Sequence, residues 1–316
     1  MIRRLLVVFA VFASASAVAA PTALDAAKLK LLSANAVVID PADGQVVYAK
    51  AANEVTPIAS LTKLMTAMVV LDGAQPLDEA LAIDMGDFDY LKGSHSRLRM
   101  GATLSRDEML KLALMSSENR AASTLARHYP GGTPAFVSAM NAKAALLGLS
   151  NTRFEDPTGL SPRNVSTAND LALMVQAAAA YPVIRAHSTT PAHFVEVQPT
   201  GQTLGFNNSN ALIKSGTWDI QLQKTGYIRE AGRCVVMLAT VASKPMVIVL
   251  LDSIGKVARL GDAQRVKYWL ETGESMPVVA AKPVVNRAAK GARPAKAAAP
   301  TRVAANTSTK GKGKRA

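Results

Sequence analysis

The stretch Pro57-Ile58-Ala59-Ser60-Leu61-Thr62-Lys63-Leu64-Met65-Thr66-Ala67-Met68-Val69-Val70-Leu71 constrains this chain more than any other. Beyond Ser60 it has no polar stripe, so the pattern predicts a helix buried on most sides. Proline just ahead suits a helix entrance, where its missing N–H and fixed φ cost little. Ser60 and Lys63, three apart, share one face of that helix. An ammonium among Leu, Met, Ala and Val is costly without partners. Burial lowers a lysine pKa, and a neutral amine can take a proton from an adjacent hydroxyl. The pair is therefore a candidate serine nucleophile with a lysine base. Ser-x-x-Lys recurs as Ser253-Ile254-Gly255-Lys256; the apolar helical setting favours Ser60.

The two ends differ from the middle. Residues 1–20 read as a secretory signal peptide: Arg3-Arg4, an apolar run from Leu5 to Ala13, and the small-residue site Ala17-Val18-Ala19. The expected locale is periplasmic, with no transmembrane anchor after cleavage. Residues 277–316 hold ten Lys or Arg and no Asp or Glu, without large apolar periodicity. They read as a disordered basic tail, and the null of a solvated spacer stands beside a tether to an anionic envelope surface. Of the net charge of +13, the tail carries ten and Arg3 with Arg4 two, which leaves +1 for residues 21–276. A nearly neutral body gives no reason to expect nucleic acid. One cysteine, Cys234, excludes an intrachain disulfide, and its run Arg233-Cys234-Val235-Val236-Met237-Leu238 makes it a core strand residue. The four histidines show no metal-ligand spacing, so neither metal nor cofactor is expected.

Between the ends the pattern changes twice. Asn35–Asp40 and Gln45–Ala49 read as a β-hairpin around Pro41-Ala42-Asp43-Gly44, leading into the Ser60 helix. About 74–165 reads as a helical lobe, with helices over Arg106–Met115, Arg120–His128 and Pro134–Leu147. Ser166-Thr167-Ala168-Asn169-Asp170 starts another helix. Strands follow at Trp218–Gln223, Gly232–Val241 and Met246–Leu251, the first turning through Gly226 to Ala231; Val257–Thr272 closes the domain as a helix. The expected fold is α+β: an antiparallel sheet flanked by helices with an inserted helical lobe.

Two further motifs carry chemistry. Ser117-Glu118-Asn119 follows an apolar helix at a junction, and its hydroxyl and amide both donate and accept. Lys224-Thr225-Gly226 places a cation and a hydroxyl beside a glycine that lets a ligand approach backbone, which suits a carboxylate. Each has a decoy: Ser33-Ala34-Asn35 for the first and Lys214-Ser215-Gly216 for the second. The ordered set Ser60-x-x-Lys63, Ser117-x-Asn119 and Lys224-Thr225-Gly226 is that of the penicillin-recognising serine enzymes, β-lactamases and penicillin-binding proteins.

The resemblance extends beyond the motifs. Thr56–Ala67 resembles the low-molecular-mass D-alanyl-D-alanine peptidases. Ser116–Ala122, Tyr129-Pro130-Gly131-Gly132, Asn151–Phe154 with Pro157–Leu160, and Gln223–Tyr227 with Ala231–Cys234 resemble the penicillin-binding protein 7 type, the D-alanyl-D-alanine endopeptidases. The similarity covers roughly residues 30–275. It implies a β-lactamase/transpeptidase-like fold and a serine peptidase acting on peptidoglycan peptides and binding β-lactams. It implies Ser60 as nucleophile, Lys63 as base, Ser117 as proton carrier and Asn119 as orienting amide. Lys224 and Thr225 would hold a carboxylate, with Gly226 beside them, and the N–H groups of Ser60 and Tyr227 would form the oxyanion hole. Glu118 receives no task. Endopeptidase and carboxypeptidase action both cleave after a D-alanine, and the motifs do not separate them. A non-catalytic wall-binding protein would use the same groove, and a β-lactamase would need a deacylating carboxylate near Ser60 that the sequence does not identify.

Overall fold

The computed structural model describes residues 24–255 and 257–278; the signal-peptide reading, nearly all of the basic tail and Lys256 lie outside them. Strands β1 (Ser33–Ile39) and β2 (Val46–Lys50) form the expected hairpin, with its turn over Asp40–Gln45. A two-residue strand β3 (Thr56–Pro57) leads into a 3-10 turn, Ala59–Thr62, and then helix α1 (Lys63–Asp72). The helical lobe follows. It holds β4 (Ala80–Ala82), β5 (Thr103–Ser105), α2 (Arg106–Met115), α3 (Asn119–Arg127) and α4 (Gly132–Leu146). The chain returns through β6 (Val165–Ser166), α5 (Ala168–Ala179) and α6 (Pro182–Thr189). A hairpin of β7 (Ala192–Val197) and β8 (Gln202–Asn207), unforeseen in the sequence, precedes β9 (Asp219–Ile228), β10 (Gly232–Val241), β11 (Lys244–Ser253) and α7 (Ala258–Thr272).

The main sheet is antiparallel, in the order β2-β1-β11-β10-β9. Its central strands alternate between two cores, as a period of two requires. Val247, Val249 and Leu251 join the core shared with α1, α2 and α5, while Met246, Ile248 and Leu250 face α7 through Val266 and Trp269. Helix α1 runs between α5 and the helices of the lobe, and every residue from Lys63 to Val70 is buried. Side-chain caps set the helix starts on either side: Ser105 Oγ accepts from the Glu108 N–H, and Thr167 Oγ1 from the Asp170 N–H.

One strand corrects the sequence reading. Lys224-Thr225-Gly226 was expected at the end of a strand, but β9 continues through Tyr227 and Ile228, and the turn lies at Arg229–Ala231. Gly226 pairs with Cys234 inside the ladder. Gly226, expected to let a ligand approach the backbone, is also closely approached by the protein's own chain: a Cβ on it would lie 3.0 Å from the Ile58 carbonyl oxygen and 3.2 Å from the Ser60 nitrogen.

Two decoy serines find each other in the sheet. Ser33 and Ser253 are register partners, buried, with their hydroxyl oxygens 2.6 Å apart. The Ser33 hydroxyl donates to Asp262 Oδ2 (2.6 Å), so the Ser253 hydroxyl donates to Ser33. Asp262, fully buried on α7, also accepts from the N–H groups of Leu32 and Ser33 and pairs with Arg265 at 2.7 Å. The aspartate thus ties α7 to the sheet. Asp262→Ala is expected to destabilise the fold by about 3–5 kcal/mol, since it leaves a buried guanidinium and a buried N–H without their partner. Ser33→Ala should cost roughly 1 kcal/mol. Urea unfolding of both variants checks the ranking; equal losses would mean that Asp262 does not organise this contact.

Candidate active site

The Ser60 turn is held from two sides by backbone. Ala59 has φ +49°, in the left-handed region that a side chain enters only under constraint. On one side the strand pair β3–β6 brings the segment 155–164 against the turn. The Ile58 N–H donates to the Asn164 carbonyl (3.0 Å), Asn164 Nδ2 to Thr62 Oγ1 (3.0 Å), and Thr62 Oγ1 to the Ala59 carbonyl (2.8 Å). Gly159, at φ +81°, passes so close that a Cβ there would stand 2.0 Å from the Ala59 carbonyl oxygen. On the other side lies β9 with Gly226. The turn carrying Ser60 is thereby clamped between two glycines.

Lys63 is the first residue of α1 and is completely buried. Its Nζ lies 2.9 Å from Ser60 Oγ, 2.7 Å from Asn119 Oδ1 and 2.6 Å from the Thr158 carbonyl oxygen. As an ammonium it donates to all three. As a neutral amine it has two N–H bonds, which the amide and carbonyl oxygens accept, leaving the lone pair to face the Ser60 hydroxyl. Burial, opposed by the charges of Asp156, Glu118 and Asp89, lowers its pKa from 10.5 to about 7. Asp156 also builds the turn that aims the Thr158 carbonyl. Its Oδ1 accepts from the N–H groups of Thr158 (2.6 Å) and Gly159 (2.8 Å), and its Oδ2 from that of Ser161 (2.9 Å).

Ser117 sits between α2 and α3 at φ +63°, a second non-glycine residue in the left-handed region. Its Oγ accepts from Lys224 Nζ at 2.9 Å, and Lys224 also donates to the Thr225 carbonyl at 2.8 Å. Lys224 is fully buried. Desolvation, reinforced by the Lys63 and Arg259 charges, pushes its pKa well below 10.5. Asn119 starts α3 and uses its other amide atom, Nδ2, to donate to Ser94 Oγ at 2.9 Å. Thr225 Oγ1 and Ser209 Oγ are 2.7 Å apart. The side chain of Tyr227 is exposed at the rim. Together these groups border a cleft of about 420 Å³ that opens on Ser60, Ser117, Asn119, Thr225, Gly226 and Tyr227.

All eight residues singled out from the sequence therefore come together. The decoys do not join them: Ser33 and Ser253 belong to the sheet, and Lys214 is exposed and bonded to Asn207. Glu118 caps α3 through its carboxylate, which accepts from the Arg120 N–H. Sequence reasoning missed Asp156, the Thr158 carbonyl, Ser94 and Arg259. Arg259 reaches up from α7 to donate to the carbonyls of Gly226 (2.9 Å) and Cys234 (3.3 Å). The segment Pro157–Leu160 had been marked only for its resemblance; a carbonyl is a feature of every residue and leaves no signal in a one-letter code.

A family model described as D-alanyl-D-alanine carboxypeptidase (peptidase S11) matches residues 21–255. A D-alanyl-D-alanine endopeptidase of Pseudomonas aeruginosa is 51% identical over 252 residues, 80% of this chain and 81% of that protein. One of Escherichia coli is 48% identical over 277 residues, 88% of each. Among solved structures, the DD-transpeptidase of Streptomyces K15 is similar with a TM-score of 0.72 at 28% identity, over 77% of this chain and 98% of that one.

The geometry around Lys63 makes an electrostatic prediction. Its side-chain resonance, followed by 13C NMR of lysine-labelled protein, should titrate near pH 7 rather than 10.5. The Asp156 charge raises this pKa, so Asp156→Asn should move the midpoint lower. A midpoint near the ordinary lysine value would refute the desolvated environment, and an unmoved midpoint in the variant would refute the role of the Asp156 charge.

Proposed function

The chain belongs to the D-alanyl-D-alanine carboxypeptidase family, peptidase S11, and on that premise we propose that it cleaves D-alanyl bonds of cross-linked peptidoglycan peptides through an acyl-enzyme on Ser60. It is a serine hydrolase that acts on peptidoglycan and a penicillin-binding protein. The observation that carries the choice of residues is the Lys63 amine, held by Asn119 and Thr158 with its third direction on Ser60 Oγ.

In the acylation step Ser60 Oγ attacks the carbonyl carbon of a D-alanine residue and its proton passes to the Lys63 lone pair. The N–H groups of Ser60 and Tyr227 receive the developing oxyanion. Lys224 and Thr225 hold the carboxylate on the leaving side, with Gly226 allowing the strand to lie close. The C–N bond breaks as the leaving amine takes a proton from the Ser117 hydroxyl, which is replenished through its lysine neighbours. A water then attacks the ester, gives its proton to the restored base, and Ser60 is regenerated. None of the three nearby carboxylates is offered to that water: the oxygens of Asp156 are occupied by its own turn, those of Asp89 accept from three backbone N–H groups, and Glu118 caps α3. This arrangement favours a peptidase over a β-lactamase.

The endopeptidase reading, in which the leaving amine belongs to a second stem peptide, rests on the two relatives of about half identity that carry that name. Carboxypeptidase action on a terminal D-alanine uses the same groups, and more distant relatives carry that name, among them one of Bacillus subtilis at 32% identity. We place the enzyme in the periplasm by the signal-peptide pattern of residues 1–20. Among the described residues no helix is long and apolar enough to cross a membrane. The basic segment 277–316 is proposed to tether the domain to anionic envelope polymers, each basic residue near such a surface contributing on the order of 1 kcal/mol.

Three measurements test these assignments. Ser60→Ala should abolish covalent labelling by a fluorescent penicillin and release of monomers from purified cross-linked muropeptides, with the fold unchanged by circular dichroism; label found on another serine would overturn the nucleophile. The acylation rate should fall about tenfold per pH unit below pH 7, because protonated Lys63 has no lone pair for the Ser60 proton. A flat rate from pH 5 to 8 would exclude Lys63 as the base. Deletion of residues 277–316 should leave muropeptide cleavage intact and weaken sedimentation with sacculi at low salt; identical sedimentation would end the tether proposal.

A further inference from the structure

The segment 88–95 forms a third wall of the cleft, and its shape is set by one carboxylate. Asp89 Oδ1 accepts from the N–H groups of Leu91 and Lys92, both at 2.9 Å, and its Oδ2 from that of Ser94 at 2.8 Å. Ser94 in turn accepts from Asn119 Nδ2, so the wall is fastened to the centre of the site. From this wall Lys92 extends to the opposite side. Its Nζ lies 2.6 Å from Glu230 Oε1, in the turn that follows the Lys224-Thr225-Gly226 strand. The pair closes a ring that runs from Asn119 through Ser94 and Lys92 to Glu230, and back along β9 to Lys224 and Ser117.

Two observations give the pair a role beyond structure. The charged side chains that line the cleft are Lys92, Arg229 and Arg259, and among the described residues no carboxylate lines it with them. A cleft walled by one sign of charge concentrates ligands of the other sign. The bridging side chains are also 30% and 39% exposed, where an ion pair is weak and exchanges readily.

We propose that the Lys92–Glu230 pair is a strap across the cleft which the substrate opens, and that Lys92, once released, binds a carboxylate of the entering peptide, making it a specificity-determining residue for acidic peptides. This rests on the peptidase reading of the site and adds the charge of the substrate to it. The exchange replaces Glu230 by a carboxylate of the substrate, so one ion pair is lost and one gained. Glu230 is left in water beside Arg229. A peptide without that carboxylate breaks the strap and receives nothing in return. Within the wall Lys92 is the mobile charge, since Asp89 is fixed by three backbone N–H groups.

The test uses the full-length enzyme and two peptides that end in D-alanyl-D-alanine. One bears a free side-chain carboxylate in its stem, and the other has that group as the amide. The wild-type enzyme should show the lower KM for the acidic peptide. Lys92→Met should abolish the preference by lowering the KM of the amide peptide roughly two- to fivefold, since neither peptide then breaks or gains an ion pair, while Lys92→Arg should keep it. Glu230→Gln, which removes the competing carboxylate, should lower the KM of the acidic peptide by a similar factor. The effects should fall on KM more than on kcat, because an ion pair with the stem of the peptide is made equally in ground and transition states. Unchanged KM ratios in both variants would overturn the strap. So would a raised KM in Glu230→Gln, which would make the pair a structural brace. Penicillin labelling of the wild-type enzyme separates the two levels: an unlabelled protein overturns the peptidase reading, whereas a labelled one with invariant KM ratios overturns the strap alone.

Discussion

The structure depends on keeping one lysine out of water. Lys63 occupies the entrance of a helix that is buried for eight consecutive residues, and no solvent reaches its amine. The lowering of its pKa from 10.5 to about 7 corresponds to roughly 5 kcal/mol of preference for the neutral form. Removing the negative charges around it would lower the pKa further and shift the site toward the neutral amine. Asp156, Glu118 and Asp89 hold it where both forms are populated near neutrality, as the base proposed for Ser60 requires.

A second constraint is crowding of backbone. The Ser60 turn lies between Gly159 and Gly226 with no room for a methyl group on the first and little on the second. Two residues at the site, Ala59 and Ser117, adopt positive φ without being glycine, at a cost of about 1–3 kcal/mol each. The hydrogen bonds of Asn164 and Asp156 offset that strain by fixing the segment 155–164 against the turn. Ser60, the Thr158 carbonyl and strand β9 are thus registered by main chain, and the side chains follow.

The sheet supplies the distance scale. Its edge strand β9 brings Lys224 across to Ser117, 107 residues earlier in the chain. Helix α7, anchored by Asp262, lifts Arg259 under the same strand. Stability and the cleft use different residues here: Ser33, Ser253 and Asp262 fasten α7 to the sheet, whereas Lys63, Asn119 and Lys224 commit their polar groups to the cleft.

The sequence by itself determined most of the elements and the motif residues of the site. The apolar run around Lys63, the continuous apolar run Val247 to Leu251 and the order of three short motifs are local patterns, written in residue type and spacing, and they survive into the structure. What only the tertiary structure decided are the choices that depend on who meets whom. It carried Ser253 into the sheet and left Lys214 exposed, away from the cleft, where their local setting had only disfavoured them. It gave the space beside Gly226 to the protein's own backbone, from a segment 166 residues away. It also brought in the Thr158 carbonyl, Asp156 and the Lys92–Glu230 contact. A main-chain oxygen has no letter of its own, and an ion pair across 138 residues exists only once the chain has folded.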